Sequence, residues 1–424
     1  MKISGIAREA TSGGERVAAD VVWEDCDRPA RRIFFEVPRE FGDGLSTDPE
    51  SFAVGCAAPA MSYGERRLAI EGSLCPRVRD GLGGIGALLR GWHGESFAPI
   101  SIEPSEGFRA RTPAASPRSA LFLSGGIDSL HTLASNRTDF PTDHPASFRD
   151  ALLVRGFSFF PPDTSHAEDV WRRSAACVRT LASTAGISAI PITTNLREIE
   201  PDFELFARYF ILLLASAAHA LARRVTSVSI AGDLEIAHLL AWGSHPLFHA
   251  LAGSSAVDVV EVGGERTRLE KARALARHPE YLESVVVCQE GPLPGDTPNC
   301  GRCEKCVRTL VALMIAGVPE SGRKAFAVRS VDPDGIDRLH RSLTPSIPYF
   351  WADIVEALDA SGRGELADAG RRLVDRCRRS EDWHAEKGWR GRLRRFDRRH
   401  LDGALLRASR SLRALRGSAR SAPR

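Results

Sequence analysis

Residues 121–130 read Leu121-Phe122-Leu123-Ser124-Gly125-Gly126-Ile127-Asp128-Ser129-Leu130. An apolar, strand-forming run meets Ser-Gly-Gly, and a helix is expected to begin near Asp128. Two adjacent glycines let the backbone turn tightly and let N–H groups converge on an anion, and the positive end of a following helix adds to that attraction. Ser124 and Ser129 supply hydroxyl donors. Asp128 is out of place beside phosphate unless a Mg²⁺ stands between them or its side chain caps the helix. The plainer reading is a Ser-Gly-Gly turn with an Asp cap. The loop has neither the Gly-Lys-Ser/Thr of a Walker A loop nor the spacing of Gly-x-Gly-x-x-Gly.

The surroundings favour a ligand-binding turn. Strand candidates follow at Ala120–Leu123, Leu152–Val154, Ala189–Ile192, Val225–Ile230, Val257–Val262 and Val285–Val287, with helical segments such as 167–185 and 203–222 between most of them. Apolar, β-branched strands alternating with helices predict an α/β fold, a mostly parallel sheet covered by helices on both faces. In such sheets ligands bind at the carboxyl ends of the strands. Upstream, residues 1–103 read as a small N-terminal α+β domain. Its strands are expected at Arg32–Val37, Leu68–Ile70 and Phe97–Ile102, and a helix at Val78–Trp92. A Pro-punctuated linker follows at 104–118. The α/β domain then spans 119–331, a helical C-terminal region 332–387, and an Arg-rich tail 388–424.

Four of the nine cysteines crowd into nineteen positions: Cys288, then Cys300-Gly-Arg-Cys303-Glu-Lys-Cys306. Cys-x2-Cys-x2-Cys with Gly301 in the first gap forms a tight knuckle, and Cys288 is the candidate fourth ligand of a closed tetrahedral Zn²⁺ site. An iron–sulfur cluster, a redox dithiol and buried structural cysteines are the competing readings. Helical spacing resumes at Val307, Leu310, Val311 and Met314, so a metal here would pin a loop onto a helix.

SGGIDS resembles the SGGxDS loop of the PP-loop, or N-type, ATP pyrophosphatases. Within that superfamily, a Cys followed by CGxCxxC downstream of the loop resembles 7-cyano-7-deazaguanine synthase, and the chain is similar to it as a divergent relative. The resemblance covers residues 119 to 317, about half of the chain. It implies a Rossmann-like (HUP) fold that uses ATP, with Ser124, Gly125, Gly126, Asp128 and Ser129 holding pyrophosphate and Mg²⁺. It also implies a four-cysteine Zn²⁺ site and an AMP-forming ligase that activates a 7-deazaguanine-type carboxylate for attack by ammonia or an amine.

Other residues add to this outline. Asp233 follows the fourth strand candidate and is placed for Mg²⁺ or substrate, or else belongs to a turn. His245 and His249 share a helical face; without an acidic or Cys partner nearby, substrate-pocket or packing roles are preferred to a second metal. Arg268 and Lys271 can reach phosphate or a carboxylate, or form ion pairs on a solvated face.

Composition sets outer bounds. At 43% hydrophobic and 26% charged, the 424 residues are not those of a disordered or collagen-like chain. The tail from 388 holds twelve Arg against Asp397 and Asp402, a net +10, so with a formal +3 overall the remaining body is acidic at −7. Trp389, Leu393, Phe396, Leu401, Leu405, Ala408, Leu412 and Leu415 recur at helical spacing among those arginines. This basic amphipathic pattern suits RNA, an anionic membrane surface or a protein partner, or a helix packed on its own domain. The start of the chain has no apolar signal segment and the longest apolar run, 210–222, is too short to span a bilayer, so a cytoplasmic protein is expected, with a homodimer as the candidate assembly. The catalytic set expected is Asp128, Ser129 and Asp233. Two rival functions stay open: sulfur transfer to tRNA or a small molecule by a PP-loop enzyme, and a non-catalytic nucleotide sensor or scaffold.

Overall fold

The computed structural model describes residues 1–157, 165–290, 293, 297–339, 346–381, 393, 396 and 397. Among these, ten strands form one sheet. They are β1 (Lys2–Ala10), β2 (Glu15–Val22), β3 (Arg31–Val37), β4 (Arg67–Ile70), β5 (Ser101–Pro104), β6 (Ser119–Phe122), β7 (Phe148–Arg155), β8 (Ser188–Thr194), β9 (Ser227–Ala231) and β10 (Asp258–Val262). The order across the sheet is β10-β9-β6-β7-β8-β3-β2-β1-β4-β5. From β10 to β8 all neighbours are parallel. Counted from β6, this half has the order 3-2-1-4-5, so the chain reverses direction across the sheet between β6 and β9 and leaves a crevice at their carboxyl ends.

Helices cover both faces. They are α1 (Glu50–Tyr63), α2 (Pro76–His93), α3 (Ile127–Asp139), α4 (Ser165–Ala185), α5 (Phe203–Phe206), α6 (Ile211–Ala220), α7 (Pro246–Leu251), α8 (Arg268–Leu275), α9 (Pro279–Leu282), α10 (Glu304–Ile315), α11 (Pro333–Asp337), α12 (Ile347–Ala360) and α13 (Gly364–Glu381). The two-residue period of β6 shows how one strand serves two cores. Ala120 and Phe122 join the core under α1, α2 and α6, whereas Leu121 and Leu123 join the core under α3, α4, α8, α10, α12 and α13. The run at 210–222 is the buried helix α6 and its flanks. It packs against α1, where Gly55 stands so close that a Cβ would lie 2.6 Å from Ser216 Oγ and from a Leu196 methyl. No described helix is long and apolar enough to cross a membrane.

Three sequence expectations are changed by the structure. Val285–Val287 joins no strand: the Val286 amide donates to the Gly125 carbonyl at 2.8 Å, and the Val287 amide to the Asn299 side chain. The helix expected over 203–222 is broken into α5 and α6 by a tight turn at 207–210. Residues 1–103 supply half the strands of the common sheet through an antiparallel contact of β3 with β8, Phe35 opposite Thr194 and Glu36 opposite Thr193. They also share one core with β6, β7 and β8. The linker carries little regular structure, yet Arg111 within it is clamped by Glu50 and Ser73. Nearly all of the Arg-rich tail lies outside the described residues.

Candidate functional site

The loop from Ser124 to Ser129 sits at the crevice between β6 and β9. Gly125 has φ +80°, in the left-handed region where a side chain is strained, and a Cβ there would also meet Val286 at 3.3 Å. Gly126 caps α3, whose first-turn amides have no intrahelical acceptor and face the crevice entrance. The two serine hydroxyls lie 3.3 Å apart, and Ser129 donates to the Gly126 carbonyl at 3.0 Å. The loop is therefore preshaped by its own donors and acceptors.

A cavity of about 220 Å³ opens from it. Ser124, Gly126, Asp128, Ser129, Asp233 and Ser244 line its polar end, and Leu152, Val154, Phe157, Phe210, Leu214 and Ile230 are among its apolar walls. A polar end joined to an apolar slot is a general form of small-molecule site. The structure thus brings together Asp233 from the end of β9 and all of the loop residues singled out in the sequence except Gly125, which forms the turn beneath. Asp233 Oδ1 accepts from Ser244 Oγ at 2.7 Å and from the Leu234 amide at 2.8 Å, so its carboxylate is held in place.

Asp128 has cations behind it. Its carboxylate accepts from the Arg268 guanidinium and, at 3.4 Å, from Lys271 Nζ, which also donates to the Gly232 carbonyl at 2.6 Å. Lys271 is 1% exposed. Burial on its own would raise the Asp128 pKa, but Arg268, Lys271 and Arg308 outweigh it and hold the carboxyl below its ordinary value. The solvated-face reading of Arg268 and Lys271 is thereby replaced: both turn inward to the loop. His245 caps α7 through Nδ1 and packs on Trp92 with ring centroids 4.8 Å apart. His249 is buried, and burial lowers its pKa to about 4. Among the described residues neither histidine joins a metal-binding group.

The cysteines converge. The four Sγ atoms of Cys288, Cys300, Cys303 and Cys306 all lie within 4.8 Å of one another, with Cys300–Cys306 at 3.8 Å and Cys288–Cys303 at 3.9 Å. Four sulfurs at 2.3 Å from a tetrahedral ion are about 3.8 Å apart, so the cluster fits a metal ion such as zinc. Backbone amides of Arg302 and Cys303 donate to Cys300 Sγ at 3.3 Å, which favours a thiolate there. Gly301, at φ +74°, allows the turn: a Cβ would lie 2.2 Å from the Val328 carbonyl oxygen.

Several partners were not apparent in the sequence. Asn299, fully buried, accepts the Val287 and Cys288 amides and donates to the Val285 and Ala325 carbonyls, clamping the segment that carries Cys288. Its place just before Cys300 is the one available hint. Arg308 pairs with Glu304 and lies against the ring of Phe350. Trp351 Nε1 donates to the same Glu304 at 3.1 Å.

Comparison of the chain with protein-family models, with curated proteins and with solved structures gives no match.

Proposed function

We propose that the protein is an AMP-forming, ATP-dependent ligase of the PP-loop type. One observation carries this reading: a serine- and glycine-lined loop at a helix N-terminus opens directly into an apolar slot at the reversal point of a parallel sheet. Phosphates suit the first part and a nucleobase the second.

In the reaction, an acceptor carboxylate oxygen attacks the α-phosphorus of ATP, the α–β bridging P–O bond breaks, and pyrophosphate leaves. An amine nitrogen then attacks the acyl carbon, the bond to AMP breaks, and the nitrogen loses a proton. Ser124, Ser129 and the loop amides orient the phosphates, and Asp233 is fixed by Ser244 at the reacting end. Asp128 and Asp233 are the residues that would hold Mg²⁺, which offsets phosphate charge when bound. Catalysis of this kind rests on positioning and charge. A 7-deazaguanine-type carboxylate with ammonia or an amine is the favoured substrate pair. The four cysteines hold Zn²⁺ as a structural ion, because four thiolates leave no position for water. No cysteine lines the cavity among the described residues, which favours amide formation over sulfur transfer.

Pyrophosphate–ATP exchange tests the proposal, run with Mg²⁺ against a pool containing 7-carboxy-7-deazaguanine and separately against bulk tRNA. Exchange that depends on the acid pool and disappears in Ser129→Ala is expected. Exchange with tRNA alone would move the assignment to RNA modification. ATP binding without exchange in either pool would favour the sensor.

A further inference from the structure

The chain leaves the cavity wall and re-enters it at one point. Asp233 at the end of β9 and Ser244 ahead of α7 both line the cavity, and the hydrogen bond from Ser244 Oγ to Asp233 Oδ1, at 2.7 Å, ties them together. The residues between them, Leu234-Glu235-Ile236-Ala237-His238-Leu239-Leu240-Ala241-Trp242-Gly243, form a surface loop with closed ends. Compact loops of this kind frequently carry function.

Both ends are anchored. The Ile236 amide donates to the Gly264 carbonyl at 2.8 Å, and the Gly243 amide to the Ala207 carbonyl at 3.0 Å. Gly243 also packs tightly on the cavity wall: a Cβ there would lie 2.7 Å from the ring of Phe210. Between the anchors, the amides of His238 and Trp242 donate to the Glu235 and Leu240 carbonyls, which belong to the loop itself. The His238 side chain pairs with Glu235, and its ring centroid lies 5.8 Å from that of Tyr349 on α12.

The composition of the loop is at odds with its position. Ile236, Leu239, Leu240 and Trp242 are large apolar side chains, yet among the described residues none belongs to either hydrophobic core or packs against one. Ile236 is 59% exposed, and the other three are half-buried. Apolar groups held in water gain free energy when a surface is brought against them. A filled cavity supplies that surface. Its volume of about 220 Å³ is below the roughly 300–1,000 Å³ of pockets that bury a drug-sized ligand. A nucleotide and its acceptor together exceed it, so part of the pair projects past the rim at Asp233 and Ser244, where the loop begins and ends.

We propose that residues 235–242 are a cover for the cavity: Ile236, Leu239, Leu240 and Trp242 close over the projecting part of the bound ligand and keep water from the reacting end. Ala237 and Ala241, small and exposed, flank the His238–Leu240 tip and leave it free to turn. The cover rests on the adenylating reading for its purpose. Water that reached the acyl carbon of an adenylate would take the place of the amine, break the bond to AMP and return the free acid, so that ATP would be consumed with no amide formed.

Acrylamide quenching of tryptophan fluorescence in the full chain tests this. The chain has seven tryptophans, so the signal of Trp242 is read as the difference between wild type and Trp242→Phe. Mg²⁺–ATP, alone and with 7-carboxy-7-deazaguanine, is the probe, and calorimetry in parallel shows whether it binds. Trp242 is expected to become less accessible to the quencher on binding. Leu240→Ser is expected to release bound ATP about tenfold faster in a stopped-flow chase, the scale of one leucine's burial. Its melting temperature should match wild type, because Leu240 lies in neither core. Leu239→Ser is the second variant, with the same expectation. Bound ATP with unchanged Trp242 quenching, and with unchanged release in both variants, overturns the cover and leaves the nucleotide reading standing. Unfolding of both variants also overturns it, since the loop would then be part of the packed body. Absence of ATP binding in wild type overturns the nucleotide reading, and the cover with it.

Discussion

Asp128→Asn preserves the shape of the side chain and removes its charge. The wild-type carboxylate is 17% exposed and faces Arg268 at 13% and Lys271 at 1%. Removing one member of a buried ion pair costs about 3–5 kcal/mol, because the partner charge is left behind. Here Lys271 keeps the Gly232 carbonyl at 2.6 Å, and Asp128 borders an open cavity. A cost at or below the lower bound follows, about 2–3 kcal/mol. The sign of the pH dependence is fixed by the depressed pKa. Burial acts against ionisation, but the three nearby cations prevail and hold the folded pKa below that of an unfolded Asp. Such a group stabilises above its unfolded pKa and loses that contribution as pH falls through the folded one. The gap between wild type and Asp128→Asn should therefore be flat from pH 8 to about pH 5 and close only below about pH 4. Urea titrations followed by tryptophan fluorescence at pH 5, 6, 7 and 8 would measure it, with equal m-values as the check on two-state behaviour. Coincident midpoints at pH 7 would mean that the carboxylate does not compensate these cations. A gap that changes between pH 8 and 5 would mean that some other group carries it.

Gly301→Ala should lose bound metal by elemental analysis and lower the melting temperature: φ +74° costs an L-residue about 1–2 kcal/mol, and the new methyl meets the Val328 carbonyl. Normal metal content in this variant would count against the knuckle. His219 and His249 have pKa values of about 4 because burial opposes their charged forms. Their stabilisation is complete above about pH 6.5 and is lost as pH falls toward 4, by up to about 3 kcal/mol each. Stability at pH 5 should lie well below that at pH 7, with a shallower slope in His249→Phe; an unchanged slope would remove His249 from the account. Asp150, fully buried, accepts from both Arg118 and Arg224, and Asp150→Asn should cost about 3–5 kcal/mol in denaturant titrations. A change under 1 kcal/mol would show that water, rather than this carboxylate, satisfies the two arginines.

The parallel half of the sheet was legible because its strands read as short, β-branched or apolar runs: Ala120–Leu123, buried throughout, and Val257–Val262, at the sheet edge, need no partner to be recognised. β1 and β2 were not, since Lys2–Ala10 mixes charge with small residues, and its stability comes from cross-strand pairs such as Arg16 with Glu9. Val285–Val287 has strand-forming residues, yet its hydrogen bonds go to a loop carbonyl and an Asn side chain, a choice that local pattern does not encode. The prolines of 104–118 mark an irregular stretch, but whether a sheet continues past such a stretch depends on β3 meeting β8, some 160 residues apart in sequence. At the site, the loop and the cysteines were visible because their chemistry is written in consecutive residues. Phe350 and Asn299 were not, because each acts on residues brought near only by folding.

The two legible motifs are joined by parts that were not legible. Val286 bonds to Gly125 in the turn of the loop, and two residues later Cys288 enters the sulfur cluster. Asn299, immediately before Cys300, ties that segment to the turn at Ala325. On the other side of the cluster, Cys303 caps α10, which carries Arg308 to Phe350 one turn further on. A closed four-thiolate centre does no chemistry of its own. A metal held by the four cysteines would fix the spacing between the turn beneath the loop and the helix that bears Arg308. Positioning to a fraction of an ångström is what phosphoryl chemistry of the proposed kind requires. The cysteine knuckle is thus best understood as part of the loop's scaffold, with Arg268, Lys271 and Arg308 offsetting the charge of Asp128 behind it.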